Sequence, residues 1–144
     1  LVYAGENTNR PTPEEIELDH SVRDKKRRKG TVMRIVRDTQ IALSVKELYN
    51  FECQVCGITI KTKSGFYAEG AHIKPMGKTH NGDDSLKNLL CLCPNHHVMF
   101  DKVTFSISDD LNLIGIENGI LNVDEKHLID QNNLSYHRKS HGYD

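Results

Sequence analysis

The sequence predicts a small α+β domain, on three observations. Apolar residues recur at helical spacing near the start, short β-prone runs fill the middle, and paired Cys and His residues bracket those runs. With 144 residues, 37% hydrophobic and 27% charged, the chain is one ordinary domain's worth of sequence with a modest core. No apolar run approaches the ~18 residues of a membrane span. The polar opening Leu1-Val2-Tyr3-Ala4-Gly5-Glu6 does not read as a signal peptide. Both features argue against membrane and secreted classes, and a first residue other than Met predicts a fragment of a longer chain.

Residues 1–30 read as an arm or linker carrying a basic run. Between Arg23 and Arg37 stand Arg23, Lys25, Lys26, Arg27, Arg28, Lys29, Arg34 and Arg37 against Asp24 alone, although the whole chain carries a net charge of only −1. Such a run is either a solvated linker or a footprint for a polyanion. The domain proper is expected over 31–144. From Thr31, suited to an N-cap, to about Tyr49, the residues Val32, Ile35, Val36, Leu43, Val45 and Leu48 predict an amphipathic helix in one or two pieces.

Cys53 to Gly57 reads as a tight turn, and Ile58-Thr59-Ile60 and Phe66 to Ile73 as β-prone runs. Met76 to Ser85 is rich in Gly, Asn and Asp and predicts a long loop of the functional kind. Leu89 to Leu92 is a short strand, and Pro94 opens a helix running to about Asp101. Val103 to Ile107 and Leu111 to Ile116 predict a hairpin around Ser108-Asp109-Asp110. A last helix is expected from Asp130, as N-cap, to about Lys139.

The chemistry concentrates between residues 53 and 101. Four Cys and eight His are many for a chain without Trp. Cys53-Gln54-Val55-Cys56 has the spacing of a metal knuckle, and Cys93 and His96 repeat its two-residue gap at a helix start. Together they supply the four ligands of tetrahedral zinc. Cys91 lies two residues from Cys93 and is an alternative for one ligand; reduced, buried cysteines are the bland reading. His97 and Asp101, four apart, put an imidazole and a carboxylate on one helical face where they can grip a divalent cation. His96 and His97 point about 100° apart on a helix, so they can serve different metals. His72, at the end of a strand and before a polar loop, stands where a general base would stand. Asn88 can hold that loop through backbone hydrogen bonds. A redox role for Cys53 and Cys56 would need a βαβ context, and none is visible.

The order His72, Asn88, His97 inside a Cys-x-x-Cys frame resembles the HNH endonuclease family. The similarity lies in Ala71-His72-Ile73-Lys74-Pro75, in Asn88-Leu89-Leu90-Cys91-Leu92-Cys93-Pro94-Asn95-His96-His97 and in Phe100-Asp101, over about residues 48–107. More narrowly, the chain resembles the HNH domain that follows an SRA (YDG-type) modified-base reader in bacterial modification-dependent restriction endonucleases. The lead-in Arg34-Ile35-Val36-Arg37-Asp38-Thr39 before Lys46-Glu47-Leu48-Tyr49 is similar too.

The resemblance implies a zinc-stabilised ββα-metal core with a preceding amphipathic helix, a following β-hairpin and a C-terminal helix. It implies cleavage of DNA phosphodiesters in the bacterial cytoplasm as part of a restriction system. His72 would be the general base and Asn88 the holder of its loop. His97 and Asp101 would bind a catalytic Mg²⁺ or Mn²⁺, and Cys53, Cys56, Cys93 and His96 a structural Zn²⁺. Lys25, Lys26, Arg27, Arg28, Lys29, Arg34 and Arg37 would contact the DNA backbone. A recognition domain is expected upstream, and a homodimer is one way to cut both strands. Many relatives carry Asp or His as a metal ligand directly before the base; here that residue is Ala71, which cannot coordinate, and Glu69 is a distant candidate on the same strand face. Ala71 favours the alternative, a zinc-stabilised nucleic-acid-binding module with an inactive centre.

Overall fold

The computed structural model describes residues 40–115 and 117–144. The arm, the basic run and the first half of the expected leading helix lie outside them. Helix α1 (Gln40–Leu48) turns Ala42 and Val45 inward. It stops at Asn50 and Phe51, which take left-handed φ of 52° and 60° and return their amides to Glu47 O and Lys46 O. The strands are β1 (Ile60–Thr62), β2 (Gly65–Tyr67), β3 (Glu69–His72), β4 (Leu89–Leu92), β5 (Phe105–Ile107) and β6 (Leu113–Gly115). They pair in chain order as three two-stranded antiparallel sheets. Helix α2 (Pro94–Asp101) follows β4, and helix α3 (Gln131–Ser140) closes the chain behind its N-cap Asp130.

Two expected strands are redrawn. The run from Ile58 starts as a strand only at Ile60, because the Ile58 carbonyl accepts the Cys53 amide at 3.0 Å and belongs to the knuckle. The run from Phe66 splits at the buried Ala68, since β2 pairs with β1 whereas β3 pairs with β4.

The β3–β4 pair is the plate on which the site is built. Its register sets Glu69 opposite Leu92, Gly70 opposite Cys91, Ala71 opposite Leu90 and His72 opposite Leu89. Alternation along each strand then gives two faces. Ala71, Leu90 and Leu92 join Phe100 of α2, Phe105, Ile107 and Leu134 in the larger core, while Leu89 and Cys91 join Val45 and Tyr49 on the α1 side. Helix α1 comes in close at Gly70, where an added Cβ would lie 3.1 Å from Ala42 Cβ. Strands β3 and β4 with α2 make the ββα unit. Among the described residues, no helix is long and apolar enough to cross a membrane.

Helix α3 locks the far side of the core. Arg138 donates to Ile107 O at 2.9 Å and pairs with Asp109 and Asp144. His137 stacks on Phe100 with ring centroids 4.0 Å apart and shares a hydrogen bond with Ser106 Oγ at 2.7 Å. Burial, helped by the nearby His141, pushes the His137 pKa down to about 4. The folded ring therefore stays neutral while the unfolded one, near 6.5, takes up a proton. Stability that is full above about pH 6.5 is lost as pH falls towards 4. Denaturant unfolding between pH 8 and 4.5 is expected to show a steeper loss in the natural chain than in His137→Gln. Equal slopes would show that His137 is not the group responsible.

Candidate functional site

The knuckle forms because two backbone bonds and one left-handed residue fold it. Cys53 N donates to Ile58 O, Gly57 N donates to Cys53 O at 2.8 Å, and Gly57 takes a left-handed φ of 75°. Gln54, fully buried, then ties the knuckle to the plate. Its amide and side-chain oxygen bond Cys91 O and Cys91 N, and its side-chain nitrogen donates to Asn122 O. The sequence held no signal for this role. Across from the knuckle, Cys93 ends β4 in extended backbone and caps α2, where its sulfur accepts from His96 N.

These turns bring Cys53, Cys56, Cys93 and His96 together, with one ligand atom from each lying within 4.8 Å of the others. The donor chemistry fits a metal ion. His96 Nδ1 faces the sulfurs of Cys53 and Cys93 at 3.8 and 3.4 Å, and its Nε2 sits 2.9 Å from Glu117 Oε1. A carboxylate on Nε2 fixes the proton there and leaves the Nδ1 lone pair for a cation. Burial raises the Cys93 thiol pKa, a cost to the thiolate that a positive ion beside the sulfur would offset. This Cys₃His group could hold a metal. Cys91 is not part of it: β4 alternation turns it into the α1-side cluster, where burial pushes its thiol up to about 12. Its two-residue offset from Cys93 misleads because the strand ends at Leu92, and Cys93 already follows the turn into α2.

Asn88 is completely buried, and its amide clamps the loop after β3. Its Oδ1 accepts from Lys74 N at 2.8 Å, its Nδ2 donates to Lys74 O and Asp83 O, and its own carbonyl accepts from Ile73 N. The loop also closes at Gly82, whose amide donates to Pro75 O at 2.7 Å. A Cβ there would lie 1.9 Å from Lys74 O, so a side chain would force the loop open. His72, at the start of this loop, puts Nε2 3.0 Å from Asp84 Oδ1.

On α2, His97 is held from both sides. Nδ1 meets Glu69 Oε1 at 2.7 Å and Nε2 meets Asp101 Oδ2 at 3.2 Å. Burial by itself would lower the His97 pKa, but the hydrogen bonds to Asp101 and Glu69 outweigh it and raise it. Ala71 is wholly buried under α2, and the neighbouring carboxylate on its strand face, Glu69, reaches His97 instead. Thus His72 and His96 each carry a carboxylate on one ring nitrogen, and His97 carries one on each. Of those partners Asp101 was foreshadowed by its four-residue spacing from His97 and Glu69 by strand alternation; Asp84 and Glu117 come from loops that no local pattern marks.

Residues 53–108 match the family model described as HNH endonuclease. The chain carries a domain of the HNH endonuclease family. A solved structure described as modification dependent TagI restriction endonuclease is similar to it, with 43% identity and a TM-score of 0.69 over 73% of this chain. The chain spans 38% of the length of that protein. No curated protein matches the chain.

Proposed function

We propose that this HNH domain hydrolyses DNA phosphodiesters with one divalent cation, using His72 as general base. The observation that carries the reading is the clamp of Asn88 on the loop of His72, on the same ββα unit that bears His97 and Asp101. The Asp84 carboxylate accepts the Nε2 proton of His72, which leaves Nδ1 to take a proton from the attacking water. Glu69 accepts from His97 Nδ1 and so presents His97 Nε2, beside Asp101, as the cation-binding nitrogen. A Mg²⁺ or Mn²⁺ ion, when bound by His97 and Asp101, would polarise the phosphate and stabilise the departing 3′-oxygen. Cys53, Cys56, Cys93 and His96 would hold a structural Zn²⁺ that fixes the start of α2, one residue before His97.

The similar restriction endonuclease is modification dependent by name. By that likeness the whole protein would be a bacterial, cytoplasmic restriction enzyme in which a recognition segment outside the HNH core selects the site. The residues over 1–30 would be the linking arm; its Lys25, Lys26, Arg27, Arg28 and Lys29, together with Arg34 and Arg37 beyond it, would sit on phosphates, where contacts position without reading sequence. Two copies, or two encounters, would be needed to cut both strands.

The test is plasmid cleavage with Mg²⁺, Mn²⁺ or EDTA. Nicked or linear DNA with metal, and none with EDTA, is expected. A folded, zinc-loaded protein that cuts nothing with either metal would favour the binding-module alternative, which Ala71 suggests. A further variant probes the positioning role of Asp84. Asp84→Asn offers an amide that can donate to Nε2 and so put the ring proton on Nδ1, the wrong place for a base. Cleavage is expected to fall by about 10–100-fold, as for other groups that orient a functional His, with zinc content and DNA affinity unchanged. Full activity would reduce the Asp84 contact to a surface pair.

A further inference from the structure

The β1–β2 hairpin is placed oddly for a structural element. It bears Phe66, 53% exposed, directly opposite Lys61, and its turn carries Lys63. An isolated two-stranded ribbon is marginally stable, and a half-exposed Phe on its outer face adds little to folding. The inner face holds it down: Ile60 packs against the larger core, and Tyr67 OH donates to Glu69, which in turn bonds His97. The hairpin is thus tied to the cation-binding end of the site.

Its tip is also built to stay rigid. Thr62 Oγ1 donates to Gly65 O at 2.7 Å and accepts from Ser64 N, while Gly65 takes a φ of 112° with open space around it. From Gly57 to Ala68 there are two lysines and no acidic residue, although the whole chain is slightly acidic. A stiff, cationic ribbon with an exposed ring fits a polyanion with a groove. Two-stranded ribbons enter DNA grooves, and apolar side chains pack against base edges there.

We propose that the β1–β2 hairpin is a DNA-docking ribbon that seats in a groove of the duplex beside the scissile phosphate, with Lys61 and Lys63 on phosphates and Phe66 against the bases. The proposal rests on the reading of DNA as substrate. It goes beyond that reading by assigning the duplex a surface on the hairpin. Continuity with Glu69 and His97 places the ribbon next to the chemistry, so losing it should loosen DNA without disabling the base.

The test is binding of a fluorescent duplex in EDTA, over a range of salt, with plasmid cleavage in parallel. Phe66→Ala is expected to weaken binding about tenfold, and Phe66→Trp, which keeps a flat ring, to retain it. Replacing Lys61 and Lys63 together by Ala should lower the slope of log affinity against log salt by about two. Zinc content and melting temperature should stay as in the natural chain. If the natural chain cuts DNA and all these variants bind it with unchanged affinity and slope, the hairpin proposal is wrong and the nuclease reading stands. If the natural chain neither binds nor cuts, both fall. Should Phe66→Ala instead dissolve a dimer and leave DNA affinity intact, the ribbon belongs to a second copy and the proposal is overturned.

Discussion

His72→Ala is expected to lower cleavage by about 10²–10⁴-fold, the range a positioned general base contributes, while the protein still folds, binds zinc and binds DNA. The separation follows from where His72 stands. Its side chain is 21% exposed and its hydrogen-bond partner Asp84 is 30% exposed, so removing the ring leaves a carboxylate that water can satisfy. Asn88 would be a poorer probe. It is fully buried with three side-chain bonds to backbone, and its loss would confound chemistry with folding. The decisive comparison is single-turnover cleavage by the natural chain and by His72→Ala, with zinc content and thermal melting measured on the same samples. Loss of zinc or of the folded state in the variant would make His72 structural. Unchanged cleavage would remove it from the reaction.

How much of this was legible beforehand depended on whether the signal was local. Pro94 after an extended Cys93, and Asp130 before a helical run, announced α2 and α3 to within a residue, because capping is chemistry of adjacent residues. The hairpin about Ser108-Asp109-Asp110 and the strand over Leu89 to Leu92 were readable in the same way. The Cys₃His group was also readable, since equal two-residue gaps at a turn and at a helix start face one another once the chain folds back. Pairing partners were not. Nothing in Phe66 to Ile73 says that its two ends join different sheets; that is decided by β1 on one side and β4 on the other. The same holds for Cys91, excluded from the metal group by which face of β4 it occupies. Gln54, Asp84 and Glu117 act across 37, 12 and 21 residues of chain, and long-range bonds to a buried amide or a ring nitrogen leave no periodic trace. Ala71 is the case where the sequence raised the right question. The position before His72 cannot ligate, and the structure answers with Glu69 on the same strand face, bonded to His97.

With the proposed zinc on the Cys₃His group, Cys53→Ser should cost the domain that metal and, with it, its fold. The described core is divided among three small sheets and three short helices, and its larger cluster includes Cys53 and Cys93 themselves. A structural zinc site supplies on the order of 10 kcal/mol at neutral pH, comparable to the whole stability of an ordinary domain, about 5–15 kcal/mol. Losing one ligand would also leave the Cys56 and Cys93 thiols and the His96–Glu117 pair without a cation to unite them. Far-UV circular dichroism and bound-zinc measurements on Cys53→Ser should therefore show an unfolded or strongly destabilised chain, and a chelator should do the same to the natural one. Cys91→Ala is the control, because Cys91 sits in the α1-side cluster and faces Val45 and Tyr49 rather than the other sulfurs. It should lose some packing and keep its zinc. Were Cys53→Ser to retain both zinc content and melting temperature, the four-residue group would not be a structural metal site. The rigid placement of His97 would then have to come from the Glu69 and Asp101 contacts and the packing of Phe100.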